Sequence, residues 1–254
     1  MRKPTLSPTR IQTYLTCRVK YYWAYLAPLG RRFRRPNAAL ALGANLHRVL
    51  QVFHALGGIE TLSREQVAYA LETLWSRAGF ETPEQSEAHK QLGHTLIADY
   101  YTRQEAAPTN ARTLFTEKML RMDRGDYVLV GRLDRVDEHP DSTLEIIDYK
   151  SQRTCVTEAQ VADDLALHCY ALLLQHFYPD RPLAISIYAL RAGTKATVAL
   201  TAEHLEEFAC LLDELAQQIL HTDFESLQPV PIPHCAECEY LPLCNRHFGL
   251  EPPE

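Results

Sequence analysis

The stretch Gly131-Arg-Leu-Asp134-Arg-Val-Asp137, followed by Ile146-Ile-Asp148-Tyr-Lys150, decides how this chain is read. A strand alternates its faces, so Asp148 and Lys150, two positions apart, present a carboxylate and an ammonium side by side. Asp134 closes the preceding apolar run. With residues 126–136 and 143–150 as neighbouring strands joined by the polar turn around His139-Pro140-Asp141-Ser142, Asp134 reaches the same spot from the next strand. Two carboxylates and one lysine then converge. Such a set suits a hard divalent cation, with a lysine to steady an attacking water or a phosphate. Taken alone, Asp-Tyr-Lys-Ser more often marks a core strand surfacing into a salt-bridged turn, so its context decides.

Outward from this stretch the pattern is mixed. Three strand-like runs, Leu114 to Arg121, Tyr127 to Val136 and Leu144 to Tyr149, lead to a helix from Ala159 to Tyr178. Short strands follow at Leu183 to Leu190 and Thr194 to Leu200, then an amphipathic helix from Ala202 to Leu220 capped by Thr201. Upstream, Ser7-Pro8 opens an aromatic-rich helix to about Ala27, a second runs from Ala38 to Leu56, and Ser63-x-x-Gln66 reads as a capping box for a third to about Gly79. A fourth spans about Glu84 to Gln104. The predicted fold class is α/β, a mixed sheet flanked by helices, in one domain over 1–254. Its parts are a mostly helical 1–112, a core at 113–222 and a Cys-bearing segment at 223–254.

Composition is that of a soluble globular protein, with 46% hydrophobic and 23% charged residues. No apolar run is long enough to span a membrane and no apolar signal core opens the chain, so it reads as cytoplasmic. The net charge of -6 hides an asymmetry: residues 1–54 hold ten Lys or Arg and no acid, leaving 16 basic and 32 acidic residues in the rest. Arg2, Lys3, Arg10, Arg18, Lys20 and the run Arg31-Arg32-Phe33-Arg34-Arg35 form an electrostatic footprint for a polyanion such as DNA, or for an acidic partner surface. Tyr14, Tyr21, Tyr22, Trp23 and Tyr25 offer rings on which bases could stack, although an aromatic stripe on a helix is more often core.

The tail His234-Cys235-Ala-Glu-Cys238-Glu-Tyr-Leu-Pro-Leu-Cys244 spaces three thiols as C-x2-C-x5-C. Structural zinc and cubane iron-sulfur sites usually need four ligands, and Cys17 is the leading candidate for the fourth. Spacing alone does not decide between them; zinc is the commoner occupant of a bare C-x2-C pair, and His234 or His247 could complete such a site. Seven cysteines in a cytosolic chain disfavour disulfides, and Cys155, Cys169 and Cys210 read as small buried residues.

Four features occur in one order: Leu6-Ser-Pro-Thr-Arg-Ile-Gln-Thr-Tyr-Leu-Thr-Cys17-Arg-Val-Lys-Tyr-Tyr; Gly43-x3-His47; the Asp134 and Asp148-Tyr-Lys150 stretch; and the C-terminal cysteines. Together they resemble the RecB-like branch of the PD-(D/E)XK nucleases, specifically its iron-sulfur members, which include AddB nuclease domains and CRISPR-associated RecB-like exonucleases. The resemblance implies a restriction-endonuclease-like fold whose chain ends are clasped by a 4Fe-4S cluster on Cys17, Cys235, Cys238 and Cys244. It also implies that His47, Asp134, Asp148 and the Tyr149 backbone carbonyl hold Mg2+ or Mn2+, with Lys150 orienting water. Glu117 matches an acidic position often present in the family, as support. The family's Gln-x3-Tyr on the following helix is met only by Tyr170, since Ala166 stands where glutamine is expected.

The implied activity is metal-dependent hydrolysis of DNA, as an exonuclease on single-stranded ends, in repair, recombination or CRISPR adaptation. The alternative is a non-catalytic DNA-binding or adaptor module that keeps the nuclease fold. No GxxxxGK(S/T) loop occurs, so any unwinding falls to a partner such as a helicase, and CRISPR adaptation proteins are further partners. A third reading is a zinc-ribbon protein with an unrelated sheet domain.

Overall fold

The computed structural model describes residues 3–33 and 35–249. Ser7 caps α1 (Pro8–Thr16), accepting the Arg10 N–H at 3.3 Å, with Pro8 in the first turn where its missing N–H costs nothing. The single helix expected to run to Ala27 is broken at Cys17. That residue turns extended, and its Sγ accepts the Lys20 N–H at 3.4 Å, capping α2 (Arg18–Tyr21), which passes into a π-helical turn over Tyr22–Leu26. A 3-10 helix covers Pro28–Phe33. Arg2 and Arg34, both part of the expected basic footprint, lie outside the described residues.

Asn37 caps α3 (Ala38–Ala55), and Ser63 with Gln66 forms the expected capping box of α4 (Arg64–Leu74), which stops short of Gly79. α5 spans Pro83–Ala106. α6 (Glu158–Ala162) and α7 (Leu165–Phe177) replace one predicted helix. The chain breaks at Asp163–Asp164 because the Asp164 carboxylate accepts the Leu167 N–H at 2.9 Å and starts a new helix. α8 (Ala202–His221) begins at its Thr201 cap, and α9 (Leu241–Phe248) follows a 3-10 turn at Pro233–Glu237.

The strands are β1 (Thr5–Leu6), β2 (Arg112–Asp123), β3 (Val128–Glu138), β4 (Leu144–Lys150), β5 (Leu183–Ala189) and β6 (Thr194–Leu200). They form one mixed sheet ordered β1-β3-β4-β5-β6, with β2 antiparallel along β3. β1, too short to read in the sequence, pairs parallel with the start of β3, while β4 pairs antiparallel with its end. β4 and β5 are parallel, joined by the α6–α7 crossover, as a parallel pair requires.

Each face of the sheet is covered. One apolar layer joins Leu133, Val136, Leu144 and Ile146 to Leu167, Leu172 and Leu173 of α7 and to Leu205 and Leu212 of α8. The other joins Ile147 and Tyr149 to Leu46, Leu50 and Phe53 of α3, Leu71 of α4 and Tyr100 of α5. Helices on both sides bury β4 and β5 almost throughout, Glu145, Asp148 and Ser186 included. A third, smaller cluster gathers Val19, Trp23, Tyr240, Leu243 and Cys244, and so packs the segment after Cys17 against α9. Tyr14, Tyr21 and Trp23 are buried, and Tyr21 stacks on Phe224. These three rings are core, which removes them from any base-stacking surface.

Candidate active site

The last paired residues of β3 and β4 are Arg135 and Ile147. Beyond them the two strands part, and the next residues, Asp134 and Asp148, stand on either side of the fork. Parting leaves the Tyr149 N–H without a ladder acceptor, and Asp134 Oδ2 supplies one at 2.9 Å. Period-two alternation then does what it was expected to do. Asp148 and Lys150 share a face, with Lys150 Nζ 2.7 Å from Asp148 Oδ2, while Tyr149 points the other way into the α3–α5 layer.

α3 brings His47 to the same fork. Its Nε2 donates to the Tyr149 carbonyl at 3.0 Å, and its Nδ1 lies 3.2 Å from Glu117 Oε1 and 3.3 Å from Asp134 Oδ1. Tyr149 is thus tied at its N–H, its carbonyl and its hydroxyl, the last receiving an Arg135 N–H at 3.2 Å. Arg135 is itself buried, held by Asp137 and by His54, 2.8 Å away.

Among the described residues, His47, Glu117 and Asp134 are the one group of three or more ligand-bearing side chains whose donor atoms lie within 4.8 Å of one another. Glu117, expected only in support, is therefore central. It adopts φ +48, a left-handed conformation that a glutamate in a strand rarely takes. Strain of this kind gathers where function over-determines the backbone. Asp148 and the Tyr149 carbonyl lie in the same cleft but outside this three-residue group. Sequence reading also passed over Arg132, exposed and 3.0 Å from Glu117 Oε2 through its Nε.

The electrostatics follow from burial and proximity. Burial pulls the His47 pKa down, but hydrogen bonds to Asp134 and Glu117 outweigh it and push it up to about 10. Burial raises Asp148, against the pull of Lys150 and with the help of the Asp134 charge. Lys150 is raised as well: burial opposes its charge, and Asp148 more than compensates. Tyr170, raised by burial and then by Asp148 and Asp134, keeps its proton.

His47, Asp134, Asp148, Lys150 and Tyr170 line a cleft of about 570 Å3 that also takes in Gly43, Gly131 and Arg132. Gly131 is required there, because a Cβ would lie 2.8 Å from both the Tyr170 ring and Leu173. Ala166 and Tyr170 lie one turn apart on α7, as their spacing requires, and both line an adjoining cleft. Of the basic residues expected to bind DNA, Lys20 borders that adjoining cleft. Arg10 is committed to the Thr5 carbonyl and the Tyr25 ring, and Arg18 lies over Tyr14. Arg31, Arg32 and Arg35 are exposed on the 3-10 helix and the loop that follows.

Cys17, Cys238 and Cys244 pack in the third apolar cluster, and the Cys244 thiol, raised to about 11 mainly by burial, also feels Cys238, Cys17 and Cys235. No three of these sulfurs come within 4.8 Å of one another. Contrary to expectation, Cys155 and Cys210 are exposed; Cys169 is buried. Among the described residues, no helix is long and apolar enough to cross a membrane.

No curated protein matches the chain. Among solved structures, one described as a "putative exonuclease" from Eubacterium rectale superposes with a TM-score of 0.57 at 11% identity, covering 98% of this chain and 90% of that one. At that identity it speaks for the fold alone. The structure of SSO0001 has a TM-score of 0.35 at 12% identity over 99% of this chain and 90% of that one, too low to bear on the fold. The family model of the PD-(D/E)XK nuclease superfamily matches residues 5–245, a span that takes in the whole fork and its helices. By that match the chain belongs to the PD-(D/E)XK nuclease superfamily, whose membership implies a nucleic acid substrate.

Proposed function

We propose that this protein is a metal-dependent DNA nuclease of the RecB-like branch, an exonuclease acting on single-stranded ends. The observation that carries the reading is the meeting of His47, Glu117 and Asp134 beside the Asp148–Lys150 ion pair, at a cleft that His47, Asp134, Asp148 and Lys150 line. Those three side chains would hold Mg2+ or Mn2+, with Asp148 and the Tyr149 carbonyl as further oxygen donors. The donor set fits: hard oxygens with one imidazole admit Mn2+ at least as well as Mg2+. Apart from the Lys150 ammonium, the buried Asp148 Oδ2 has no hydrogen-bond partner. The cation would lower the pKa of water and offset charge developing on the phosphate.

The chain's own residues supply the remainder. Lys150 stays an ammonium through its acidic neighbours, so it donates to a water or a phosphate oxygen and does not act as a base. Arg132, exposed beside Glu117, can turn to a non-bridging phosphate oxygen. Tyr170 offers a neutral hydroxyl from the far wall. The end-directed activity is a proposal from the family resemblance, and the Eubacterium rectale structure of like fold is itself described as a "putative exonuclease".

Cys17, Cys235, Cys238 and Cys244 are assigned to a structural 4Fe-4S cluster clasping the two ends. Cys17, Cys238 and Cys244 packing in one apolar cluster that joins the two ends supports the clasp, and four thiolates are the ligand set that such a cluster takes. Iron and acid-labile sulfide on anaerobically purified protein test this; zinc in their place refutes it.

Digestion of end-labelled single strands with Mg2+ or Mn2+ tests the activity. Cleavage should vanish in EDTA and fall at least about a hundredfold in Asp148→Ala and Lys150→Ala. Undiminished cleavage in either condition refutes the reading. Binding without any cleavage would favour the adaptor, the reading that Ala166 supports.

A further inference from the structure

The cleft that holds the carboxylates does not end at Lys150. Pro8, Thr9, Lys150 and Tyr170 line both it and a second cleft of about 670 Å3, so the two are continuous. One wall of the second cleft is the face of α1 bearing Thr9, Gln12, Thr13 and Thr16, and its lining reaches Lys20 and His234. Lys20 Nζ lies 3.3 Å from His234 Nε2 and 3.3 Å from Glu239 Oε2, so side chains from the two ends of the chain meet at the far mouth. The opposite wall carries Asp163, Asp164, Leu165 and Ala166.

We infer that this second cleft carries the nucleic acid strand onward from the cleavage centre, with its phosphates along α1 to Lys20 and His234 and its bases against Leu165, Ala166 and Tyr170. The inference rests on the nuclease reading above. Charge sets the orientation. Phosphates running beside Asp163 and Asp164 would be repelled, whereas the α1 wall holds hydroxyls, an amide and a terminal cation, and no acid. Asp164 cannot swing aside, because its carboxylate caps α7. Base faces need aromatic and apolar surface and tolerate any sequence, which the α7 wall supplies. Alanine at 166 leaves that wall smooth. Glu239 is no obstacle, since its ion pair with Lys20 is partly exposed and such pairs contribute little.

Helix geometry gives the reach. From Thr9 to Thr16 the helix rises about 10 Å at about 1.5 Å per residue, a length that an extended single strand covers in a few phosphate steps. The Lys20–His234 contact therefore falls a few nucleotides from the scissile bond, on one side of it.

The test uses the full chain and single-stranded oligonucleotides in which one phosphate at a time is a neutral methylphosphonate. Cleavage should fall about tenfold when the neutral linkage lies at one position a few nucleotides from the scissile bond, on one side only. Lys20→Gln with His234→Ala should erase that dependence at that position alone. For binding in EDTA, Lys20→Gln should lower the slope of log affinity against log salt by about 0.7, and Lys20→Arg should leave it unchanged. Cleavage with no distal dependence, dependence that persists in the double variant, or an unchanged slope in Lys20→Gln overturns the path. Failure of the wild-type chain to cut any oligonucleotide overturns the nuclease reading, and the salt slope then still decides the path.

Discussion

Asp134 holds the Tyr149 backbone: its Oδ2 accepts the Tyr149 N–H at 2.9 Å across the fork where β3 and β4 part, while its Oδ1 lies 3.3 Å from His47 Nδ1. One carboxylate thus serves the fold and the site, and two substitutions separate these roles. Asp134→Ala leaves a poorly hydrated N–H unsatisfied and should cost about 1–3 kcal/mol of stability as well as activity. Asp134→Asn keeps a carbonyl acceptor for that N–H but removes the charge, so it should unfold near the wild-type denaturant midpoint while losing cleavage. Equal destabilisation of the two variants would show that the Tyr149 contact is incidental.

Glu117 has a left-handed backbone at φ +48, and in the proposed function its carboxylate is a metal ligand. Both Glu117→Ala and Glu117→Gly should therefore lose metal binding and activity alike. They should differ in stability: glycine adopts φ +48 without a Cβ clash, so the glycine variant should exceed the alanine variant by roughly 1 kcal/mol in urea unfolding. Elsewhere in a strand the order would be reversed, and that reversed order here would mean the strain is not real.

In the proposed function, His47 couples metal binding to protons. With its pKa pushed up to about 10, it is an imidazolium at neutral pH, donating to Tyr149 and lying between Glu117 and Asp134. A ligand needs a lone pair, so uptake of a cation must expel a proton. Apparent Mn2+ affinity should rise about tenfold per pH unit from pH 6 to pH 9. Calorimetric titration in two buffers of different ionisation heat should show about one proton released at pH 7.5, and none in His47→Asn. Metal binding without proton release in the wild type would remove His47 from the ligand set.

What could be read from the sequence was what local rules fix. Strand alternation set Asp148 beside Lys150, the short turn at 139–142 brought β3 against β4, and Ser7, Asn37, Ser63 and Thr201 cap helices within a residue or two of their expected starts. The illegible parts depend on tertiary override. Nothing in the letters around Glu117 signals a left-handed backbone, so its carboxylate looked like ordinary strand surface. Cys17 breaks a helix that propensity would continue, because its sulfur caps α2, and Asp164 splits another in the same way. Tyr14, Tyr21 and Trp23 sit in a run that suits either stacking or packing, and burial decides for packing. Arg135, two positions before Asp137, gave no hint that it would be buried against His54 and Tyr149.

That buried arginine sets a measurable acid sensitivity. His54 Nε2 lies 2.8 Å from Arg135 Nη1 and 2.7 Å from the Tyr100 hydroxyl, so the ring must accept from the guanidinium and stay neutral. Burial first, and then the Arg135 charge, hold its pKa well below 6.5. In the unfolded chain the ring titrates near 6.5, so below that pH the unfolded state binds a proton that the folded state refuses. The stability contribution is therefore complete above about pH 6.5 and is lost as pH falls towards the folded pKa, at up to about 1.4 kcal/mol per pH unit. His54→Gln retains an oxygen acceptor for Arg135 but cannot titrate, so its unfolding free energy should fall less steeply between pH 6.5 and 5 than that of the wild type. Parallel slopes for the two proteins would place the acid sensitivity in the other histidines and leave the Arg135 network as passive packing behind Tyr149.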